Sequence, residues 1–143
     1  MHGKILNLYL KTAHAAPMQP AQAATAVAGK GFQGDLSFGR EKRQLLIIEA
    51  ETLREFDLQP GQVRENLTVA GLKLAGLPAG TRVRAGEALL EVTLDCAPCE
   101  FIEGIRPGLR AAISGQRGTL FRVITGGQVK VGDDIAVLTT EAA

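Results

Sequence analysis

The chain has 143 residues, of which 45% are hydrophobic and 22% charged, a balance that is typical of one globular domain spanning residues 1–143. The net charge of +1 argues against a nucleic-acid partner, because general nucleic-acid binders carry a clear basic excess. Two cysteines are too few for a disulfide framework. The chain shows no signal-peptide pattern and no apolar run near the roughly 18 residues of a membrane span, so we expect a cytoplasmic protein with no membrane partner.

In the first half of the chain, short strand patterns alternate with turns. Apolar runs predict strands over 5–11, 24–27, 44–48 and 67–69, and residues 49–56 have the pattern of a short helix. Gly29, Gly31 and Gly34 form a turn cluster in which positive φ angles or a close backbone approach would require glycine. The cluster lacks the strand-to-helix context of a phosphate loop, so nucleotide binding is not predicted.

The second half contains a near-repeat. Residues 80–92 and 127–138 each read as a short strand, a turn with glycine and an acidic residue, and a more apolar return strand. Between them lie a helix pattern over 109–114 and a strand pattern over 120–124. At least seven short strands with one or two short helices predict a mostly β fold, a closed or nearly closed β-barrel.

Cys99 is the strongest candidate for chemistry. It stands after Pro98 at the end of an apolar run over 89–94, and a thiol held by a rigid proline at a strand end is displayed rather than buried. The chain has no Trp, one Tyr and two His, so few other side chains could carry covalent chemistry near neutral pH. We therefore predict Cys99 as the functional nucleophile.

The spacing of Cys96 and Cys99 allows three other interpretations. A zinc site needs about four ligands, and only His2 and His14 remain besides carboxylates. A thioredoxin-like redox pair belongs at a helix start within a βαβ pattern, which this sequence lacks. Two small thiols could also simply be buried in the core. The pattern favours a single nucleophilic or sulfur-carrying thiol at Cys99, with Cys96 as an additional thiol.

A second polar motif precedes the strand over 67–69. Arg64 offers a forked guanidinium and Asn66 an amide, groups that suit an oxyanion or the edge of a heterocycle. The alternative is that the polar residues cap the turn before the strand. All ten arginines lie between Arg40 and Arg122, a concentration that is compatible with an anion pocket or with solvated strand faces.

Taken in order, these segments resemble the MOSC domain, named after the C-terminal domain of molybdenum cofactor sulfurase. The resemblance runs from about Ile5 to Leu138 and indicates a short stand-alone member with a mostly β, barrel-like fold. Two features depart from the family pattern: residues 36–39 replace a His and basic residues found in many relatives, and Cys96 is an added thiol. The matching segments are 29–35, 64–72, Gly80 with 84–87, Pro98-Cys99 and Gly132-Asp133.

The resemblance implies a sulfur carrier that holds a persulfide on Cys99 for molybdenum cofactor or metal–sulfur assembly. The donor would be a separate cysteine desulfurase, because this chain has no room for a pyridoxal-phosphate domain. The acceptor would be a molybdenum enzyme or a cofactor-biosynthesis protein. Arg64 and Asn66 match the family's polar motif and would hold an anionic acceptor, joined by Arg82 or Arg84 if the barrel brings them close.

Two alternatives remain open at the level of sequence. The chain could bind molybdenum cofactor (molybdopterin) without transferring sulfur, and Cys99 would then serve as a soft metal ligand. It could also be a structural or interaction barrel with a passive thiol. Purification followed by intact mass, metal and pterin analysis would separate the three.

Overall fold

The structure is a computed structural model that describes residues 2–138. Its strands are β1 (His2–Leu10), β2 (Gln19–Pro20), β3 (Ala23–Val27), β4 (Gly31–Phe32), β5 (Leu45–Glu49), β6 (Leu67–Ala70), β7 (Arg82–Ala85), β8 (Ala88–Asp95), β9 (Thr119–Thr125), β10 (Gly127–Lys130) and β11 (Asp134–Val137). Its helices are α1 (Ala50–Glu55), α2 (Glu100–Ile105) and α3 (Leu109–Ala112). None of these helices is long and apolar enough to cross a bilayer.

Seven strands close into a barrel in the order β1-β11-β7-β8-β9-β5-β6, and β6 pairs again with β1. A ring with an odd number of strands cannot be antiparallel throughout. The parallel pair is β5–β6, in which Ile47 lies opposite Leu67, and α1 forms part of the connection between them. A separate sheet of β10, β3 and β4 packs beside the barrel. The mostly β closed barrel is thus confirmed.

The core explains why β5 is apolar from Leu45 to Ile48 without alternation. Leu45 and Ile47 belong to the main cluster of the barrel, together with Phe32 and Phe121. Ile48 packs on the other side with residues of the three helices. A strand that is covered on both faces cannot alternate between apolar and polar residues, and all five residues of β5 are buried.

Two details of the predicted fold were wrong. There are three short helices, because α2 forms directly after Cys99 where no helix was predicted. The segment 127–138 is not a hairpin, since β10 pairs with β3 whereas β11 pairs with β1 and β7. Around the intervening turn, Val131 N donates to Gln22 O and Gly132 N to Ile5 O, which fixes the two strands in different sheets. Alternation predicts a strand but does not specify its partner.

Candidate functional site

A pocket of about 210 Å³ lies at one edge of the barrel and contains both thiols. The carboxyl ends of β1 and β8 meet there with the segments that lead into β5, β6 and β9. Register explains the meeting: Leu67 at the start of β6 pairs with Leu8 near the end of β1, and Asp95 at the end of β8 pairs with Thr119 at the start of β9. Five cationic side chains line this pocket: Lys11, Arg40, Arg43, Arg64 and Arg117.

The two cysteines of the pocket have different environments. Cys99 is exposed and immediately precedes α2, and its carbonyl accepts hydrogen bonds from Ile102 N (3.0 Å) and Glu103 N (3.2 Å). Cys96 is only 4% exposed, packs in a small cluster with Leu46, and has its Sγ 3.9 Å from Arg43 Nη2. Both thiols are free. The interpretation as two buried core thiols therefore does not hold for Cys99.

Asn66 lines the pocket, but both N–H groups of its amide donate within the protein. Its Oδ1 accepts from Leu46 N at 3.0 Å, and its Nδ2 donates to Tyr9 O at 3.1 Å and to Asp35 Oδ1 at 3.0 Å. Both amide hydrogens are engaged, so neither is free for a ligand. Asn66 instead ties β1, β5 and the loop at Asp35 together around the pocket.

Arg64 joins the pocket to the loop that follows β1. Its guanidinium donates to Ala16 O at 2.9 Å and to Ala13 O at 3.1 Å, and it lies 5.9 Å from the centroid of the Phe101 ring. Its backbone φ of 66° lies in the left-handed region, which costs a non-glycine residue roughly 1–2 kcal/mol. With this backbone conformation, Arg64 lines the pocket, and its predicted role in holding an anion remains a prediction.

Arg82 and Arg84 lie elsewhere, so the barrel does not bring them to Cys99. On β7, Val83 and Ala85 point into the core and the two arginines point outward. Arg82 Nε lies 3.2 Å from Glu91 Oε2. Arg84 lines a separate hollow beside His2. The condition under which either would join the site is therefore not met.

Sequence reasoning missed the most buried cation of the site, Arg117. Its side chain is 6% exposed, and its Nε and Nη1 have no hydrogen-bond partner in the described chain. Gly118 follows with a φ of 135°, and a Cβ there would lie 2.7 Å from Leu46 Cδ1. This close approach holds the start of β9 against β5. An arginine and a glycine directly before an apolar strand were the available signal.

The cations of the pocket influence one another. Burial lowers the pKa of Lys11, and the charges of Arg64, Arg117 and Arg40 lower it further, whereas Asp35 opposes the shift. Burial raises the pKa of the neighbouring Glu65, which hydrogen bonds from Gly61 and Thr68 and the charge of Arg117 partly offset. Such crowding favours an anion that enters the pocket.

Lys11, Arg40 and Arg43, like Arg117, were not predicted as site residues. Each comes from a segment with no motif of its own, and closure of the barrel brings them together. Among residues 2–138, no three His, Cys, Asp or Glu side chains cluster in a way that could hold a metal ion. The chemistry available at the site is therefore that of an exposed thiol beside concentrated positive charge.

Comparison with known proteins agrees with this architecture. The sequence profile described as "MOSC domain" matches residues 33–136, most of the chain. The chain belongs to the MOSC domain family. No curated protein sequence matches it significantly.

Solved structures of the same architecture include the YuaD protein from Bacillus subtilis, which is 23% identical with a TM-score of 0.83 over 99% of this chain and 98% of that one. The YiiM protein from Geobacillus stearothermophilus is 18% identical with a TM-score of 0.75, covering 96% of this MOSC chain and 75% of its own. YiiM from Escherichia coli is 20% identical with a TM-score of 0.70, covering 96% and 70%. Identities this low show a shared fold.

Proposed function

We propose that this MOSC domain is a sulfur carrier for molybdenum cofactor or metal–sulfur assembly, with Cys99 as the thiol that holds the sulfur. The Cys99 thiolate attacks the outer sulfur of a persulfide on a cysteine desulfurase. A new S–S bond forms at Cys99, the donor's S–S bond breaks, and its electron pair leaves on the donor cysteine as a thiolate. The exchange consumes no oxidant or reductant.

The observation that carries this proposal is the exposed thiol of Cys99 in a pocket with five cations. Thiolates and persulfides are negatively charged, and the five cations of the pocket attract such anions. The two cysteines are not joined in a disulfide, and a reducing compartment keeps thiols in this state, so we propose the cytoplasm. A molybdenum enzyme or a cofactor-biosynthesis protein is the proposed acceptor, its anionic group held by Arg64 and Arg117.

Loading by a desulfurase tests the proposal directly. The full chain is incubated with a cysteine desulfurase and cysteine, and intact mass is followed with time. We expect a gain of one sulfur atom in the wild type and in Cys96→Ser, and none in Cys99→Ser. Failure of the wild type to load, or equal loading of Cys99→Ser, would contradict a carrier role for Cys99.

Cys96 gives this carrier a route for releasing sulfide. Attack of the Cys96 thiolate on the inner sulfur of the Cys99 persulfide forms a Cys96–Cys99 disulfide and expels hydrosulfide. A cellular dithiol reductant then has to restore the two thiols. Cys96→Ser should therefore prolong the persulfide after loading, as read by intact mass. Equal lifetimes in the two proteins would leave Cys96 without this role.

Binding of molybdenum cofactor without sulfur transfer is the second candidate, and the cation cluster is the observation that favours it. The unpartnered N–H groups of Arg117 and the guanidinium of Arg64 fit the phosphate of a molybdopterin, and the Cys99 thiolate fits a soft metal. The bound cofactor would supply the redox chemistry of its metal. The pocket of about 210 Å³ is smaller than the roughly 300–1,000 Å³ of sites for drug-sized ligands, so it does not enclose the whole group.

Analysis of the purified protein separates the two candidates. Protein produced in cells that make the cofactor is examined for molybdenum, for fluorescent pterin products after oxidation, and for a persulfide by intact mass. Molybdenum and pterin in equal amounts with the protein would favour cofactor binding. A persulfide without molybdenum or pterin would favour the sulfur carrier. If none of the three is found, the interpretation as a structural barrel with a passive thiol is favoured.

A further inference from the structure

Arg117 has hydrogen-bonding capacity that the folded chain does not use. Arg117 is only 6% exposed, and its Nε and Nη1 are buried without a hydrogen-bond partner in residues 2–138. The three ion pairs in this part of the chain do not include Arg117 or the neighbouring Glu65. Unsatisfied buried donors are unfavourable, and an oxyanion that accepts from them would remove that penalty.

The same pocket holds a nucleophile. Cys99 and Arg117 both line it, and Lys11, Arg40 and Arg43 add positive charge around them. A guanidinium presents its N–H groups in a planar fork that matches two oxygens of a sulfonate or phosphate. A ligand with such oxygens at one end and a transferable sulfur at the other would satisfy Arg117 and Cys99 together.

We propose that the pocket binds a small oxyanion that carries a sulfane sulfur, a thiosulfonate or thiosulfate, and that Cys99 takes this sulfur. The inference rests on the proposed function, because it supplies the carrier thiol with a second, small-molecule donor. The volume of about 210 Å³ suits a small anion. A protein donor can deliver sulfur to the exposed Cys99, but it does not need a buried guanidinium in the same pocket.

The transfer is balanced without any co-reactant. The Cys99 thiolate attacks the outer sulfur of thiosulfate, and a new S–S bond forms between them. The bond between the two sulfurs of thiosulfate breaks, and its electron pair leaves with sulfite. The total charge is the same before and after. Positive charge fixed at the sulfonate end stabilises the departing sulfite, as oriented donors do for other developing anions.

The test compares two donors on the same protein. The full chain is incubated either with thiosulfate or with a cysteine desulfurase and cysteine, and both persulfide formation by intact mass and sulfite release are measured. We expect wild type to load from both donors. Arg117→Gln should lose at least tenfold more of its loading rate with thiosulfate than with the desulfurase, because only the small oxyanion depends on the guanidinium for its binding. The control is Arg122→Gln, which removes an exposed arginine outside the pocket and should load from both donors like wild type.

The outcomes separate the two hypotheses. Loading from the desulfurase but not from thiosulfate overturns this inference and leaves the carrier intact, whereas loading from neither overturns both. Equal thiosulfate rates in Arg117→Gln and wild type overturn the role of Arg117. If Arg117→Gln does not fold, Arg40→Gln and Arg43→Gln replace it, since both residues are exposed at the rim. Each should then slow thiosulfate loading severalfold, and unchanged rates in both count against the inference.

Discussion

Two groups of basic residues lie on this barrel, and they differ in their partners. On β7 and β9, Arg82 and Arg122 share the carboxylate of Glu91 at 3.2 and 2.6 Å. At the pocket, none of the five cations takes part in an ion pair within residues 2–138. The two arginines on the strand faces thus have a carboxylate within ion-pair distance. The cations around Cys99 have none in the described chain, and the charges of Asp35 and Glu65 only partly offset them. An arginine without a carboxylate partner is the one that remains available to a ligand.

The difference follows from where each group stands in the sheet. Glu91 on β8 lies directly opposite Arg82 on one side and Arg122 on the other, so register alone creates both pairs. The pocket cations come from strand ends and loops, where no residue lies opposite across a ladder. Register provides partners for charges on strand faces and provides none for charges at strand ends.

The largest effect is expected from Arg64, whose strain and charge can be separated. Arg64→Ala keeps the left-handed backbone and loses the guanidinium, whereas Arg64→Gly loses the guanidinium but removes the strain. Inorganic phosphate bound in the pocket should protect Cys99 from alkylation. Both variants should weaken this phosphate binding by about 1.5–3 kcal/mol, as for a lost charge-assisted bond. The glycine variant should be about 1 kcal/mol more stable than the alanine variant in urea unfolding.

Arg82→Ala serves as the matched control for this pair, because it removes an arginine that already has a carboxylate partner. It should leave the protection by phosphate unchanged. If Arg82→Ala weakened protection as much as Arg64→Ala, the contrast between paired and unpaired cations would not hold. Equal stability of the glycine and alanine variants would mean that the φ of Arg64 carries no strain.

A smaller effect concerns the field around the exposed thiol. Iodoacetate is an anion and iodoacetamide is neutral. The rate of iodoacetate divided by that of iodoacetamide at Cys99 therefore reports the local electrostatic potential. This ratio should be about tenfold higher in the folded protein than in the chain unfolded in urea, and should fall with added salt. Cys96, which is buried, should react slowly with both reagents until the chain unfolds. A ratio that is independent of folding would contradict an excess of positive charge at the pocket.

Much of this architecture could be predicted from the sequence, because apolar runs and turn glycines are local signals. The exposure of Cys99 followed from Pro98 and the end of the strand pattern. The helix α2 did not, since its sequence contains Gly104, a poor helix former, and six residues give little periodicity. The pairing partner of β10 could not be predicted either, because the alternation of apolar and polar residues is the same whichever strand lies beside it.

The candidate site was predictable only in part. Arg64 stood in a recognisable polar motif, whereas Arg117 is 53 positions away and reaches the pocket only because β9 pairs with β5. The amide of Asn66 looked like a ligand donor until the structure showed that Leu46, Tyr9 and Asp35 use all its hydrogen-bonding groups but one lone pair. Whether a polar side chain is buried and hydrogen bonded depends on the closed barrel, so the local sequence does not indicate it.

A modest effect is expected from Glu65, the carboxylate whose charge acts on Arg117. Burial raises its pKa in the folded chain, so the folded state holds this proton more tightly than the unfolded state. The resulting stabilisation is complete below the unfolded pKa and is lost as pH rises through the raised folded pKa. Glu65→Gln should therefore gain stability relative to wild type as pH rises through that window in urea unfolding.

The same variant sharpens the contrast at the pocket. Glu65→Gln removes negative charge that partly offsets Arg117. Protection of Cys99 by phosphate at neutral pH should therefore strengthen by roughly 0.5–1 kcal/mol, as expected from a charge that lies near the anion without contacting it. Gln can still accept from Gly61 N and Thr68 Oγ1, which bond one carboxylate oxygen of Glu65. Weaker protection in this variant would show that Glu65 supports the anion site rather than opposing it.

The smallest effect is expected where the arginines are paired. Glu91→Gln removes the charge shared by Arg82 and Arg122, whose side chains are each 46% exposed. Solvent already screens such pairs, so the loss in the free energy of unfolding should be below about 1 kcal/mol and should shrink in concentrated salt. Phosphate protection and the alkylation ratio at Cys99 should stay at wild-type values, because the freed arginines lie outside the pocket. A change in either readout would mean that the charges on β7 and β8 influence the thiol. The paired arginines and the pocket cations would then not be electrostatically independent.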